Sequence, residues 1–433
     1  MYRVKQLTLL AGDLACLYIG LYFAIFLRYL SFPGEQLLIL LRPMTFLFLL
    51  AAVINFIVGL YDLFKIKNSK GYFIQIAIAG AIWLFAGFIY FYFASYRNLV
   101  TPKTILGLNF ALGVGLMYLW RYLYNQFVSV KFLAQKVIFM GYTPEVQELI
   151  DIFNKEPQRG FRTIQKQSNE RADIIVLAPG LEKNNELLKE LYDSLFAQTS
   201  VMELADFYAA VFGRIPPFTF SESWFISHLQ EQQKKIWDRF RILVDYLAAF
   251  VIGAIFIISF PLVALGVKLS SPGPIFFKQK RVGRLGGEFT VYKYRTMKAL
   301  SADGSAETEG PRFAATDDPR VTGVGKILRK TRLDEVPQFI NILKGEMSVI
   351  GPRPERPEFV AQLTGQMPYY NLRHLIKPGM TGWAQLRRDY YGTLEENLRK
   401  LEYDLYYIKN RGPLLDLAIL LRTINVVIRL KGR

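Results

Sequence analysis

Four apolar stretches, running roughly from Leu7 to Leu27, Leu37 to Leu60, Tyr72 to Tyr92 and Thr104 to Val128, constrain this chain more than any other feature. Each is close to the roughly 20 residues that cross a hydrocarbon core, so all four are predicted to be transmembrane helices. The first reads as a retained span and not a cleaved signal peptide, because Asp13 interrupts it and no small-residue cleavage site closes a short apolar core. Arg3, Lys5, Lys65, Lys67, Lys70, Lys131 and Lys136 fall on one side of these spans, against Arg28, Arg42, Arg97 and Lys103 on the other. Four spans return the chain to its starting side, and this bias puts the N-terminus and everything after Lys136 in the cytoplasm. Asp13 and Asn55 lie within spans and read either as an intramembrane site or as polar groups that satisfy neighbouring helices.

Charge separates the rest. The net is +9 over residues 1–136, −4 over 137–236 and +12 over 237–433, within an overall +17. The sign reversal marks the middle segment as a separate domain that does not handle phosphates. A chain that is 52% hydrophobic and this basic is not disordered, and it suits anionic headgroups or phosphorylated substrates better than nucleic acid. Cys16 is the single cysteine, which forbids an intrachain disulfide. His228 and His374 are too few for a structural zinc site or a histidine relay, so any metal must be held by oxygen.

From Lys136 the pattern predicts a strand (Val137 to Gly141), a helix (Glu145 to Asn154), a strand (Ile174 to Ala178), a helix (Asn184 to Phe196) and a short strand near Val201, a small α/β unit. Its first turn, Gly141-Tyr142-Thr143-Pro144, has one glycine where a dinucleotide fingerprint needs several. Packing or regulation is the favoured role, with nucleotide binding as the minor alternative.

A fifth apolar run, Leu243 to Val267, is long enough to span, but crossing would carry the strongly basic region after it to the outer face. Pro261, two residues after Ser259, would break a helix, and the serine hydroxyl would take up a freed carbonyl. A helix that enters, bends and leaves on the same side fits both facts; an ordinary kinked spanning helix is the other reading.

Beyond it, SSPGP (Ser270 to Pro274), IFFKQKRVG and EFTVYKYRTM suggest a basic hairpin around Gly283 to Gly287, facing phosphates at a membrane interface. KTRLDEVPQ sets Asp334 and Glu335 side by side after Lys326, Arg329, Lys330 and Arg332. Adjacent helical side chains diverge by about 100°, which suits two tasks, one acid attacking phosphorus and one holding a hard cation, better than a shared proton. A plain helix N-terminus with acids on its dipole is the alternative. EMSVIGPRPERPEF then places Arg353 in a proline-stiffened loop suited to a fixed guanidinium clamp on a diphosphate. KPGMTGWAQL supplies a second rigid loop with Lys377, Trp383 and Gln385.

With SPGP, FKQKRVG, KYRTM, RLDEVPQ, SVIGPRPE, KPGMTGWAQ and LEYDLYYI in this order, the stretch from about Lys235 to Arg433 resembles the bacterial sugar transferase domain of monotopic phosphoglycosyl transferases. With four spans, an α/β unit and GRIPPFTFSESWF ahead of it, the whole chain looks like the long-form members that prime exopolysaccharide, capsule or O-antigen synthesis. The resemblance implies a fold of membrane α plus α/β class: four transmembrane helices (1–135), a degenerate Rossmann-like domain (136–225) and a monotopic catalytic domain (226–433) with a re-entrant helix at about 240–267, broken at Ser259 and Pro261. This chain has Ser259-Phe260-Pro261 where the family has an adjacent Ser-Pro pair, and Leu386, Arg387, Arg388 and Asp389 where the family often has an Asn-Gly-Arg run.

By that resemblance, Asp334 attacks the sugar-bearing phosphorus of a UDP-sugar, with glucose or galactose favoured, and expels UMP. Glu335 holds Mg²⁺, and undecaprenyl phosphate takes the phosphosugar from Asp334. Arg353, Lys293, Arg295, Arg332 and Lys377 are the implied phosphate-binding residues, and Gln338, Trp383, Gln385, Arg387 and Arg388 the further pocket candidates. The implied setting is the bacterial inner membrane with the catalytic domain on its cytoplasmic face. No nucleic-acid partner is expected, and a homodimer is compatible with the sequence. Leu414 to Leu430 reads as an interfacial amphipathic helix or as an ordinary packing helix. A non-enzymatic scaffold or regulator of polysaccharide assembly is the rival reading.

Overall fold

The computed structural model describes residues 2–61, 68–95, 103–128, 134–165, 170–181, 191–192, 199–229, 231–306, 318–387 and 393–428. It divides into two compact units, Met1–Phe212 and Gly213–Arg433. Lys65, Lys67, Arg97, Lys131, Arg388 and nearly all of the expected helix from Asn184 to Phe196 lie outside the described residues.

The first unit opens with α1 (Tyr2–Tyr29), α2 (Glu35–Val58), α3 (Lys70–Ser95) and α4 (Lys103–Val128), each long and apolar enough to cross a membrane. Leu9, Leu17, Leu21, Met44, Leu47, Phe48 and Trp83 fill the core between them, while Leu38, Ile74, Phe85 and Phe93 are exposed to where lipid would lie. Asp13 is buried against Arg121, whose Nε and Nη2 donate to the carboxylate at 2.9 and 2.5 Å and whose Nη1 donates to Leu60 O at 2.7 Å. Asn55 donates to Met117 Sδ at 3.6 Å. Both polar groups are thus satisfied by neighbouring helices, the second of their two readings.

After α4 a small sheet forms from β1 (Gln135–Met140), β2 (Phe161–Thr163), β3 (Ile174–Leu177) and β4 (Ser200–Glu203), all parallel in the order β2-β1-β3-β4. β2 is too short, at three residues, to show a period in the sequence. α5 (Pro144–Lys155) and α6 (Leu204–Phe212) cover it through Leu149, Phe153, Phe207 and Tyr208. Gly141 has φ +87°, and a Cβ there would lie 2.8 Å from Ala178 Cβ and 2.9 Å from Leu181 Cδ1. The glycine therefore permits tight packing of the turn after β1 against the chain after β3, and Thr143 takes the amide of Val146 at the start of α5.

The second unit starts earlier than the sequence suggests. Residues 213–225, grouped by the sequence reading with the α/β domain, pack on the C-terminal unit. Gly213 O accepts from Trp383 Nε1 at 2.7 Å, Arg214 pairs with Glu402 at 2.5 Å, and Ile215 N donates to Glu402 O at 3.0 Å. α7 (Glu222–Leu229) follows, then α8 (Glu231–Ser270), 40 residues or about 60 Å of helix at 1.5 Å per residue.

α8 is helical throughout with Pro261 inside it, so Ser259 and Pro261 do not interrupt the helical assignment. Ser259 Oγ donates to Phe256 O at 3.4 Å, not to Ile257 O, the carbonyl whose ladder partner a proline at 261 removes. The helix is packed on both sides of the proline: before it Phe256 stacks on Tyr294 (5.8 Å between centroids) and Phe260 on Phe276 (6.0 Å), and after it Val263 and Val267 join the same cluster with Tyr294 and Leu328. The same unit covers one face of α8 along nearly its whole length. Glu231 and Asp238 pair with Arg411, Asp245 accepts from Ser348 Oγ and Val349 N at 2.9 Å, Gly253 faces Phe339, and Val267 O accepts from Arg295. The other face is apolar and bare, with Phe250 69%, Ile258 79% and Leu262 78% exposed.

The remaining elements are the antiparallel hairpin β5 (Phe276–Val282) and β6 (Glu288–Tyr294), α9 (Gly323–Thr331), α10 (Phe339–Leu343), β7 (Ser348–Ile350), α11 (Pro357–Gln366), β8 (Gly379–Thr381), α12 (Trp383–Arg387), α13 (Leu394–Asn410) and α14 (Pro413–Ile428). β7 and β8 pair in parallel. A Cβ on Gly379 would collide with Gly351 N, so the start of β8 and the loop following β7 can close on one another only through glycine.

Candidate active site

Asp334 and Glu335 stand on a 3₁₀ turn, Leu333–Gln338, directly after α9. Arg332 joins the two with φ +58°, a left-handed conformation uncommon for a residue with a Cβ. In a 3₁₀ turn adjacent side chains diverge by about 120°, so the acids point apart even more than on an α-helix.

Glu335 is buried at 7% exposure and surrounded by cations. Its Oε1 accepts from Arg353 Nη2 at 2.6 Å and from Lys293 Nζ at 2.9 Å, and its Oε2 lies 3.6 Å from Arg332 Nη1. Burial pushes this carboxyl up, yet Arg353, Lys293 and Arg332 together hold it well below the usual carboxylate range. Asp334 is half-buried, and among the described residues it carries no ion pair. Burial, and then the charge of Glu335, push its carboxyl up to about 6 against the pull of Lys293, Arg329 and Arg353. Burial lowers the Lys293 ammonium, with Glu335 opposing.

Lys293 comes from β6, Arg332 from the turn, and Arg353 from the Gly351-Pro352-Arg353-Pro354 loop after β7, so three elements separated in sequence meet on one carboxylate. Arg329 donates to Thr296 Oγ1 at 2.9 Å and lies within electrostatic reach of Asp334.

Arg295 does not join them. It is 2% exposed, and its five N–H groups are all taken: Nε by Pro274 O, Nη1 by Ser271 Oγ and Pro272 O, Nη2 by Ser271 O and Val267 O. It ties the SSPGP turn to the end of α8, which replaces its expected role as a phosphate ligand. Lys377 lies near Gly345 and toward Asp245. Gln338 is buried at the end of the 3₁₀ turn. Trp383 and Arg387 form a separate group in which the guanidinium sits 4.3 Å over the indole, with Arg422 at 5.7 Å and Tyr406 stacked at 5.7 Å. Half-buried Gln385 is on the same short helix.

Sequence reasoning missed the buried ionic cluster beside the Arg353 loop, in which Glu355 pairs with Lys400 and, at 3.5 Å, with Arg281. Burial pushes the Glu355 carboxyl up, but Lys400, Arg373 and Arg281 bring it down to about 2. Its members sit in the recognised motifs FKQKRVG, GPRPE and LEYDLYYI or close to them, but nothing in one sequence pairs them.

The bacterial sugar transferase profile matches residues 236–430. The exopolysaccharide production protein PSS of Rhizobium leguminosarum bv. phaseoli is 39% identical over 170 residues, which are 37% of this chain and 82% of that protein. The chain belongs to the bacterial sugar transferase family. Another family relative, the UDP-N-acetylgalactosamine-undecaprenyl-phosphate N-acetylgalactosaminephosphotransferase of Aeromonas hydrophila, is 42% identical over 209 residues, 47% of this chain and 48% of that protein. The UDP-glucose:undecaprenyl-phosphate glucose-1-phosphate transferase of Klebsiella pneumoniae is 28% identical over 453 residues, covering 95% of this chain and 93% of that protein. The chain thus spans about half the length of the Aeromonas relative and nearly all of the Klebsiella one.

Proposed function

We propose that this sugar transferase moves a hexose 1-phosphate from a UDP-sugar to undecaprenyl phosphate through a phosphosugar-Asp334 intermediate. The observation that carries the reading is the split between two adjacent acids: Glu335 is pinned by Lys293, Arg332 and Arg353, while Asp334, beside it, carries no ion pair among the described residues. In the first half-reaction an Asp334 oxygen bonds to the sugar-bearing phosphorus, the bond to the bridging oxygen breaks, and UMP leaves with that electron pair. In the second, an oxygen of the lipid phosphate bonds to the same phosphorus and the carboxylate departs. Charge grows on nonbridging oxygens in both steps, and Arg353, Lys293 and Arg332 are placed to receive it.

Among the described residues no three His, Cys, Asp or Glu side chains gather as a metal cage. The donor set therefore fits Mg²⁺ only as this ion commonly sits, on Glu335 with substrate phosphates and water completing the shell. Bound there, Mg²⁺ would neutralise diphosphate charge. Lys293 and Arg353 would turn from Glu335 to the phosphates.

UDP-glucose is the sugar donor we propose first, because the Klebsiella relative named for it matches over 95% of this chain. We place the four helices in the bacterial inner membrane, with the catalytic unit on the cytoplasmic face and α8 entering one leaflet by its bare face, both ends on the same side. Incubation with a panel of UDP-sugars, Mg²⁺ and undecaprenyl phosphate should release UMP. Asp334→Asn should abolish both release and a trapped covalent adduct on mass spectrometry. An adduct on another residue, or undiminished release, would refute the nucleophile.

A further inference from the structure

The loop that carries Arg353 is held by four successive carbonyls. Pro352 O accepts from Gly379 N at 2.9 Å, Arg353 O from Arg373 Nη2 at 2.9 Å, Pro354 O from Arg281 Nη1 at 3.2 Å, and Glu355 O from Val282 N at 2.9 Å. Pro352 and Pro354 have a fixed φ and no amide, so carbonyls are the main handles by which such a loop can be oriented. Of these four donors, Arg373 alone acts on the peptide of Arg353 itself.

Arg373 lies in a 3₁₀ turn, Tyr370–Leu375, and is 2% exposed. Its Nη1 donates to Tyr370 Oη at 2.7 Å, and its Nη2 also donates to Asp404 Oδ2 of α13 at 2.9 Å. Asp404 is likewise 2% exposed. A buried charge pair is a poor way to gain stability, since well-packed apolar groups of the same volume often do as well. What apolar groups cannot supply is a rigid fork aimed at a third acceptor, here Arg353 O. The Arg353 side chain is 36% exposed, so packing alone does not aim its guanidinium at Glu335.

We propose that Arg373, held by Asp404 and Tyr370, is a positioning residue that sets the aim of Arg353 toward Glu335 and the substrate diphosphate. This rests on the reading of Arg353 as a phosphate clamp. A clamp displaced by about 1 Å can lose up to about a hundredfold in rate, so the effect belongs in turnover and not only in folding.

The test uses the full-length enzyme in detergent and the paired variant Arg373→Gln/Asp404→Asn, which removes both charges, orphans neither, and leaves a glutamine too short to reach Arg353 O. UMP release is measured in the wild-type and in an Arg353→Lys background, with folded fraction followed by thermal unfolding. The expected result is a loss of kcat of about tenfold or more in the first background but less than about threefold in the second, because a flexible lysine does not depend on the aim. An equal fold-loss in both backgrounds, as a purely structural role gives, overturns the proposal. So does full activity of the pair variant while Arg353→Ala is inactive, an outcome that leaves the clamp intact. A fully active Arg353→Ala enzyme instead overturns the clamp reading. Should the pair variant not fold, Arg373→Lys, which keeps the charge opposite Asp404 but cannot serve three acceptors at fixed angles, is put through the same cycle and judged by the same outcomes.

Discussion

Asp334 and Glu335 are neighbours with opposite surroundings, and this has a consequence in pH. The attack proposed for Asp334 needs its carboxylate ionised, and burial and Glu335 push this carboxyl up to about 6. UMP release in a single turnover should therefore hold above pH about 6 and fall about tenfold per unit below it. Lys293 pulls this carboxyl down, so Lys293→Gln should move the acid limb to higher pH. A limb that stays in place, or moves to lower pH, would show that Lys293 does not act on the nucleophile. At this scale the motifs were legible but the partners were not. KYRTM offers Lys293 and Arg295 as equals, yet β6 ends at Tyr294, and beyond the strand Arg295 turns in to the carbonyls around SSPGP. The convergence of Lys293, Arg332 and Arg353 on Glu335 depends on three separate elements and leaves no local pattern.

Among the elements, the four N-terminal helices were legible because length and apolarity alone decide them, and the Asp13–Arg121 pair closes α1 against α4 without altering that period. α8 was legible as apolar and not as continuous. Proline propensity argues for a break at Pro261, yet the helix runs through it, packed by Phe256 and Phe260 before the proline and by Val263 and Val267 after it. The same packing, with Arg241 and Asp245 bonded to Ser348 in β7 near one end and Val267 O bonded to Arg295 near the other, covers one face of α8 and is the observation behind the proposed one-sided topology. Cysteines at Lys235 and Lys268 in a Cys16→Ala background should both react with an impermeant maleimide from the same side. Pro261→Leu should leave that pattern unchanged, since the contacts and not the proline hold the helix in place. Opposite-side labelling of the parent would reject this topology, and inversion caused by the leucine would return the cause to Pro261.

For the whole molecule, the division into two compact units at Phe212 and Gly213 differs from what composition suggests. The sequence reading groups GRIPPFTFSESWF with the α/β domain, but its side chains complete the C-terminal unit. Phe220 meets Tyr369 at 5.0 Å between centroids, Trp224 lies under Lys409 Nζ at 4.3 Å, and Arg214 closes on Glu402. Such contacts span more than a hundred residues of sequence and cannot be read from one chain alone. They make a quantitative distinction between two truncations. A chain beginning near residue 210 keeps them all, whereas one beginning at residue 226 leaves Glu402 with Arg399 as its remaining described ion-pair partner and opens the surfaces of Tyr369 and Trp383. Losing one charge-assisted hydrogen bond to a carboxylate that keeps a second cation costs about 1.5–3 kcal/mol, which for a unit of this size lowers Tm by roughly 3–12 °C. The longer truncation in detergent should melt like the full-length C-terminal unit and retain UMP release, while the shorter should melt lower by about that interval and lose activity in proportion to its unfolded fraction. Equal melting temperatures for the two would mean that residues 213–225 are not part of the C-terminal folding unit.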